Sequence, residues 1–213
     1  MKSPVLRGLM AVGAILIGLY PLLYLLSAEV IGLLQTKPES LLADLAWQTG
    51  FYLHILPGGV ALIVGWSQFV PAWRKNRMKL HRQVGKLYLI AALMSGSAGL
   101  FIAFSATGGW IAKSGFLALA VAWLSTTLLA FVAVRQGNWA AHQRMMHYSY
   151  AACFGAVTLR LWMPILIPLM GAFIPAYQII AWISWVPNLL FVWWWMRRPA
   201  FARIQPLPSQ AAS

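Results

Sequence analysis

GFLALAVAWLSTTLLAFVAV, residues 115–134, decides the class of fold. No charge interrupts it, and as an α-helix rising about 1.5 Å per residue it crosses the roughly 30 Å of a bilayer's hydrocarbon. The apolar residues run on without alternating, and the run is about twice as long as a barrel strand needs, so a transmembrane β-barrel is excluded. Working outward, five further runs of this kind lie at about 8–27, 47–70, 82–104, 145–166 and 177–195. The expected architecture is therefore an all-α membrane protein, a six-transmembrane-helix bundle forming one domain over 1–196. Residues 197–213, rich in Pro, Ser and Ala, are expected to form a disordered cytoplasmic tail.

Composition agrees. Hydrophobic residues make up 61% of the chain and charged ones 9%, against about 25% charged in soluble domains. The net charge of +13 would suggest nucleic acid in a soluble protein. Here it reflects loops that gather Lys and Arg against anionic lipid, so no nucleic acid is expected. Cys153 is the single cysteine, which rules out an intrachain disulfide and a thiolate cage; it is expected to pack inside a span. The first run follows Lys2 and Arg7 but is too long for a signal-peptide core and lacks a convincing cleavage site. It is expected to remain as the first span.

Orientation follows from the basic residues. With six spans starting inside, 13 of the 16 Lys and Arg face the cytoplasm, all but Lys37, Lys113 and Arg160. Both termini are then cytoplasmic. All three acids, Glu29, Glu39 and Asp44, fall in the first outer loop. Trp47, Trp73, Trp110, Trp139 and Trp193–Trp195 lie near span ends, where an aromatic belt places them.

Polar groups at membrane depth are the natural candidates for function. They are His54, His81, His142, His147 and Arg160. Counting along the helices puts His54 about 10 Å below the outer surface, and Arg160 about 27 Å from His142, towards the same side. His81 and His142 share the inner level. Two imidazoles on one iron must approach within about 4 Å, so His54 and His81 are too far apart in depth to share a metal, whereas His81 with His142 or His147 can do so. His142 and His147 diverge by about 140° around their helix and cannot face one partner. Each residue has a plainer role available. His81 and His142 can touch headgroups beside Arg82 and Arg144, His147 can pack or hydrogen bond, and Arg160 can snorkel or bind an anion. A buried His54 needs a partner. Pro57-Gly58-Gly59 makes a kink or a thin helix face, suited either to a flat ligand or to helix packing.

The sequence resembles the bacterial predicted membrane-protein family known as domain of unknown function 2306. The resemblance is carried by His54 with the run ending Trp66-Ser67-Gln68-Phe69, by His81-Arg82-x-x-Gly85-Lys86-x-Tyr88, and by Ala122-Trp123-Leu124-Ser125-Thr126-Thr127. It continues in His142-x-Arg144-x-Met146 and Ala156-Val157-Thr158-Leu159-Arg160. It implies a recurrent set of His54, His81, His142 and Arg160, with His147 standing where a basic residue is usual. It implies no assigned reaction.

The leading functional expectation is a haem-handling or redox protein of the bacterial inner membrane. Haem b sits between His81 and His142 as axial ligands, with Arg82 or Arg144 on the propionates. His54 and Arg160 shape an outer site for a quinone, a second haem or another anion, and respiratory-chain components are the expected partners. The rivals are a non-catalytic assembly factor and a small anion or solute transporter, the latter needing a homodimer to form a pathway. No acid lies within a span, which argues against a carboxylate-based proton pump.

Overall fold

The computed structural model describes residues 4–198; the expected disordered tail lies outside these beyond Arg198. Among these residues eleven α-helices follow one another: α1 (Pro4–Leu19), α2 (Pro21–Leu26), α3 (Glu39–Leu42), α4 (Leu45–Gly65), α5 (Pro71–Asn76), α6 (Met78–Ala103), α7 (Gly109–Arg135), α8 (Trp139–Cys153), α9 (Gly155–Met170), α10 (Phe173–Ile183) and α11 (Val186–Met196). Together they build six rods long and apolar enough to cross a membrane, over Arg7–Leu26, Leu45–Phe69, Met78–Ala103, Gly109–Arg135, Trp139–Met170 and Phe173–Met196. An even number of crossings returns the described ends to one side. That side also carries Arg77, Lys79, Arg82, Arg135 and Arg144 at helix ends and is called the basic face below. The opposite, far face carries the segment between α2 and α4, including the short 3-10 turn Gly32–Thr36.

The bundle is apolar outside and small or hydroxylic inside. Leu26, Leu45 and Leu169 are more than three-quarters exposed, facing where lipid lies. The largest fully buried side chains are Tyr88, Ile180, Thr127, Ser95, Ser149 and Ser184, five of which carry a hydroxyl. Lipid tails are as apolar as Leu, so burying Leu gains little; close packing and interhelical hydrogen bonds hold the helices together. The α1–α4 and α4–α6 seams show how close the backbones come. A Cβ on Gly18 would lie 2.8 Å from the Gly59 carbonyl, and one on Gly58 would lie 2.8 Å from Ser95 Oγ.

Three rods are broken, which continuous hydropathy did not anticipate. The first breaks at Tyr20, the fifth at Phe154, and the sixth at Ser184 and Trp185. The last two breaks lie side by side, with Ser184 O only 3.5 Å from where a Cβ on Gly155 would stand. In lipid a freed carbonyl must find a donor. Thr158 Oγ1 donates to Ser184 O, while Asn188 Nδ2 donates to Ser184 O at 3.1 Å and Ala151 O at 3.3 Å. Helix α8 starts at Trp139, capped by Asn138 Oδ1 accepting from Ala141 N at 3.0 Å. His142 is thus already inside the helix, although the fifth apolar run begins only at 145.

Candidate functional site

Opposite the basic face, the bundle holds a cavity of about 230 Å³ between α1, α2, α4, α6, α7, α8, α9 and α10, with Leu33, Leu34 and Lys37 as its roof. Glycines leave the room: Gly58 and Gly59 on α4, Gly96 and Gly99 on α6, and Gly155 at the start of α9 all line it. Trp47, Phe51, Phe116 and Trp123 supply aromatic walls, and His54, Arg160, Lys37, Ser95, Tyr24 and Tyr177 the polar ones. An empty apolar space of about 150 Å³ accepts benzene, so this cavity has room for one substituted ring.

His54 is held by α6. Its Nδ1 lies 2.9 Å from Ser95 O, while Ser95 Oγ donates to His54 O at 2.6 Å. A carbonyl can only accept, so Nδ1 carries the hydrogen, and Nε2 of the neutral ring keeps its lone pair. Nothing bonds or seals Nε2 among the described residues, which leaves an acceptor at the cavity wall. The ring packs against Gly99, where any Cβ would stand 2.8 Å from Nδ1.

Arg160 enters from α9. Its Nη1 donates to Ala156 O one turn back at 3.0 Å, and its guanidinium lies 4.8 Å from the Tyr20 ring centroid. No carboxylate pairs with it among the described residues. Asp44 caps α4 through Ala46 N at 2.9 Å, and Glu29 stands exposed in the turn after Ser27. A guanidinium has five N–H donors, so most of its capacity is available to a ligand.

Lys37 is the second cation, and it lies in the outward-facing segment after the first span. Its Nζ donates to Ser105 O at 2.5 Å and to Thr107 Oγ1 at 3.1 Å. Thr36 and Thr107 hydroxyls pair at 3.0 Å beside it. These bonds fasten the far-face segment across the turn between α6 and α7. Burial, helped by the nearby charge of Lys113, pushes the Lys37 amine down to about 8.

Below the cavity lies a closed hydroxyl network. Tyr88 Oη and Ser149 Oγ are 2.7 Å apart, Ser149 and Thr127 hydroxyls are 2.7 Å apart, and Trp123 Nε1 donates to Tyr88 Oη at 3.3 Å. Tyr88, Trp123 and Thr127 come from the motif segments quoted above, so two of those segments meet here in the folded chain. The motifs contained them, but nothing in their spacing indicated which helices would meet.

The remaining candidates sit elsewhere. His81 and His142 do not line this cavity, and Arg82 and Arg144 are exposed at the basic face. His142 Nδ1 donates to Ala130 O of α7 at 2.8 Å. His147 Nδ1 donates to Gln143 O at 2.6 Å and its ring packs between Phe69 and Trp195. Among the described residues no group of three or more His, Cys, Asp or Glu could hold a metal ion. Trp110 and Trp139 are well exposed, as a belt requires, but Trp47 is not a belt residue. It is buried, stacked on Phe51 at 5.4 Å, and forms part of the cavity wall. Cys153 is buried, as a packing residue would be, and also lines the cavity.

Six lipid-facing rods around a ring-sized cavity, with two cations and an imidazole at its edge, define a multi-pass α-helical membrane protein. The model of the family described as predicted membrane protein (DUF2306) matches residues 51–196, and the chain belongs to that family. No curated protein and no solved structure matches it.

Proposed function

We propose that this protein binds the head group of a small lipid-soluble carbonyl compound of the quinone type in the cavity between His54 and Arg160. The observation that supports it is the pairing of Arg160 and Lys37, two cations without a carboxylate partner among the described residues, on one largely apolar, ring-sized space. Arg160 and Lys37 offer donors to a carbonyl oxygen, and His54 Nε2 offers an acceptor to a hydroxyl, so both a quinone and its quinol find complementary groups. A fully charged phosphate is the poorer match, because most of the lining is apolar. We place the protein in the cytoplasmic membrane of a bacterium with its basic face inward, where quinone-using respiratory components are its partners.

The test is saturable binding of a tail-less dimethoxy-methyl-benzoquinone to the purified full chain in lipid nanodiscs, read by quenching of tryptophan fluorescence. A hydrogen bond to a charged donor contributes about 1.5–3 kcal/mol, so Arg160→Gln weakens binding by about tenfold or more. Absence of saturable binding by the wild-type protein overturns the proposal.

Haem b between His81 and His142 is the second reading. It draws on the bond of His142 Nδ1 to Ala130 O, which leaves Nε2 of the neutral ring as a lone-pair donor. Two turns deeper, Tyr88 Oη and Ser149 Oγ are 2.7 Å apart, so a haem in this reading lies nearer the basic face than that contact. A reduced-minus-oxidised spectrum of protein from haem-replete cells decides: sharp α and β bands lost in His81→Ala and His142→Ala favour haem, and a colourless protein removes it.

A further inference from the structure

We infer that the cavity is reached sideways from the bilayer, through the seam between α2 and α4 at Pro21, and that its ligand carries an apolar tail lying in a groove on the outer side of α4. The inference rests on the quinone-type reading of the cavity and adds where the rest of the ligand lies.

Helix α4 stands between two spaces. Its inner side, with Ile55, Gly58 and Gly59, faces the cavity. Its outer side, with Leu56, Pro57 and Val60, faces an open groove of about 470 Å³ that α1, α2 and α6 complete. Pro21 borders both spaces. No polar side chain lines the groove, whose other walls include Leu22, Ile90 and Met94. A hydrocarbon chain suits this lining; a charged or hydrogen-bonding segment does not.

The partition at Pro21 is one proline ring against α4, with Pro21 Cγ 3.3 Å from where a Cβ on Gly59 would stand. Just below it α1 and α4 touch backbone to backbone, since a Cβ on Gly59 would collide with Gly18 O and one on Gly18 would stand 2.8 Å from Gly59 O. The first rod is also broken here: α1 ends at Leu19 and α2 restarts at Pro21, which has no N–H to continue the ladder. Six-residue α2 is held on the far side by rings, with Tyr24 edge-on to Tyr20 at 5.5 Å and to Phe51 at 5.3 Å. Tyr20, at the break itself, carries the Arg160 guanidinium on its face. A head group drawing on Arg160 therefore sits beside the junction between α1 and α2.

The direct aqueous route is fastened by contrast. The Lys37 bonds to Ser105 and Thr107, together with the Thr36–Thr107 pair, hold the roof across the far side. A ligand already dissolved in lipid meets only apolar contacts and one short helix at the Pro21 seam.

The experiment uses the full chain in nanodiscs and two probes. One is the tail-less benzoquinone; the other carries a ten-carbon tail ending in a photoreactive diazirine. On illumination the tail probe labels the segments 56–63 and 87–94. Excess tail-less quinone lowers that labelling at least fivefold, and so does Arg160→Gln. Val60→Trp and Met94→Trp, which fill the groove from opposite walls, each reduce the labelling at least fivefold and leave tail-less affinity within twofold; that unchanged affinity shows the variants are folded. Saturable ring binding with labelling confined to the 28–44 segment, or with groove labelling that the ring does not compete, overturns the sideways route and leaves the quinone reading standing. Failure of the tail-less ring to bind wild-type protein overturns both.

Discussion

Raising the pH from about 7 to about 9 should weaken ring binding by about tenfold, through Lys37 alone. Its amine titrates near 8 because it is partly buried and faces the charge of Lys113. On that basis about 90% of the protein carries the ammonium at the lower pH and about 10% at the upper one. If the ammonium donates to the ligand carbonyl, affinity follows that fraction, and the loss continues by about another tenfold per pH unit above. The folded-state value lies below the ordinary 10.5, so between the two values the unfolded chain holds the proton more tightly. Ligand-free stability therefore rises with pH across that window, while affinity falls. These opposite signs separate the Lys37 effect from a general alkaline loosening of the bundle, which would lower both. The assay is the nanodisc titration at steps between pH 6.5 and 9.5, with melting curves recorded without ligand. Lys37→Met should bind weakly throughout and show no slope. A flat profile in wild-type protein, or the same slope in Lys37→Met, refutes the reasoning.

Ser149→Ala removes the hydroxyl shared by Tyr88 and Thr127 and should cost about 1–3 kcal/mol, visible as a lower melting temperature in detergent. Adding Tyr88→Phe should cost less than the sum of the two single changes, because both break the same bond. Gly99→Ala places a Cβ 2.8 Å from His54 Nδ1. The ring must then leave its bond to Ser95 O, so ring affinity should fall as far as in His54→Leu, while a loss confined to stability would argue against a ligand role for His54. Asn188→Leu strips a donor from the carbonyls at the paired breaks and should destabilise by about 1–3 kcal/mol without changing ring affinity.

Much of this could be read without coordinates. Residue counting put His54 and Arg160 at one depth, and both line one cavity. It put His81 and His142 at one level, 61 residues apart, and side chains of α6 and α8 do meet in that register, since Tyr88 and Ser149 are also 61 apart. What counting along a helix could not supply was the direction each side chain takes around it. His142 turns to the carbonyl of Ala130 on α7, and the contact between α6 and α8 side chains falls to the hydroxyl pair two turns deeper. Lys37 gave no signal at all, because an isolated lysine in a polar segment looks the same whether it hangs in water or folds back over a cavity.

The sequence by itself determined the number of membrane crossings, the asymmetry of charge between the two faces, and the short list of polar groups placed in lipid. Those properties are sums over contiguous residues, and a bilayer reads a helix by its length and hydropathy. Only the tertiary structure decided which glycines face each other, where the rods break, and that two cations and an imidazole from three distant segments border one ring-sized space. In lipid the helices are sorted by close packing and by satisfaction of backbone groups, and both depend on the partner helix, which no single run of residues specifies.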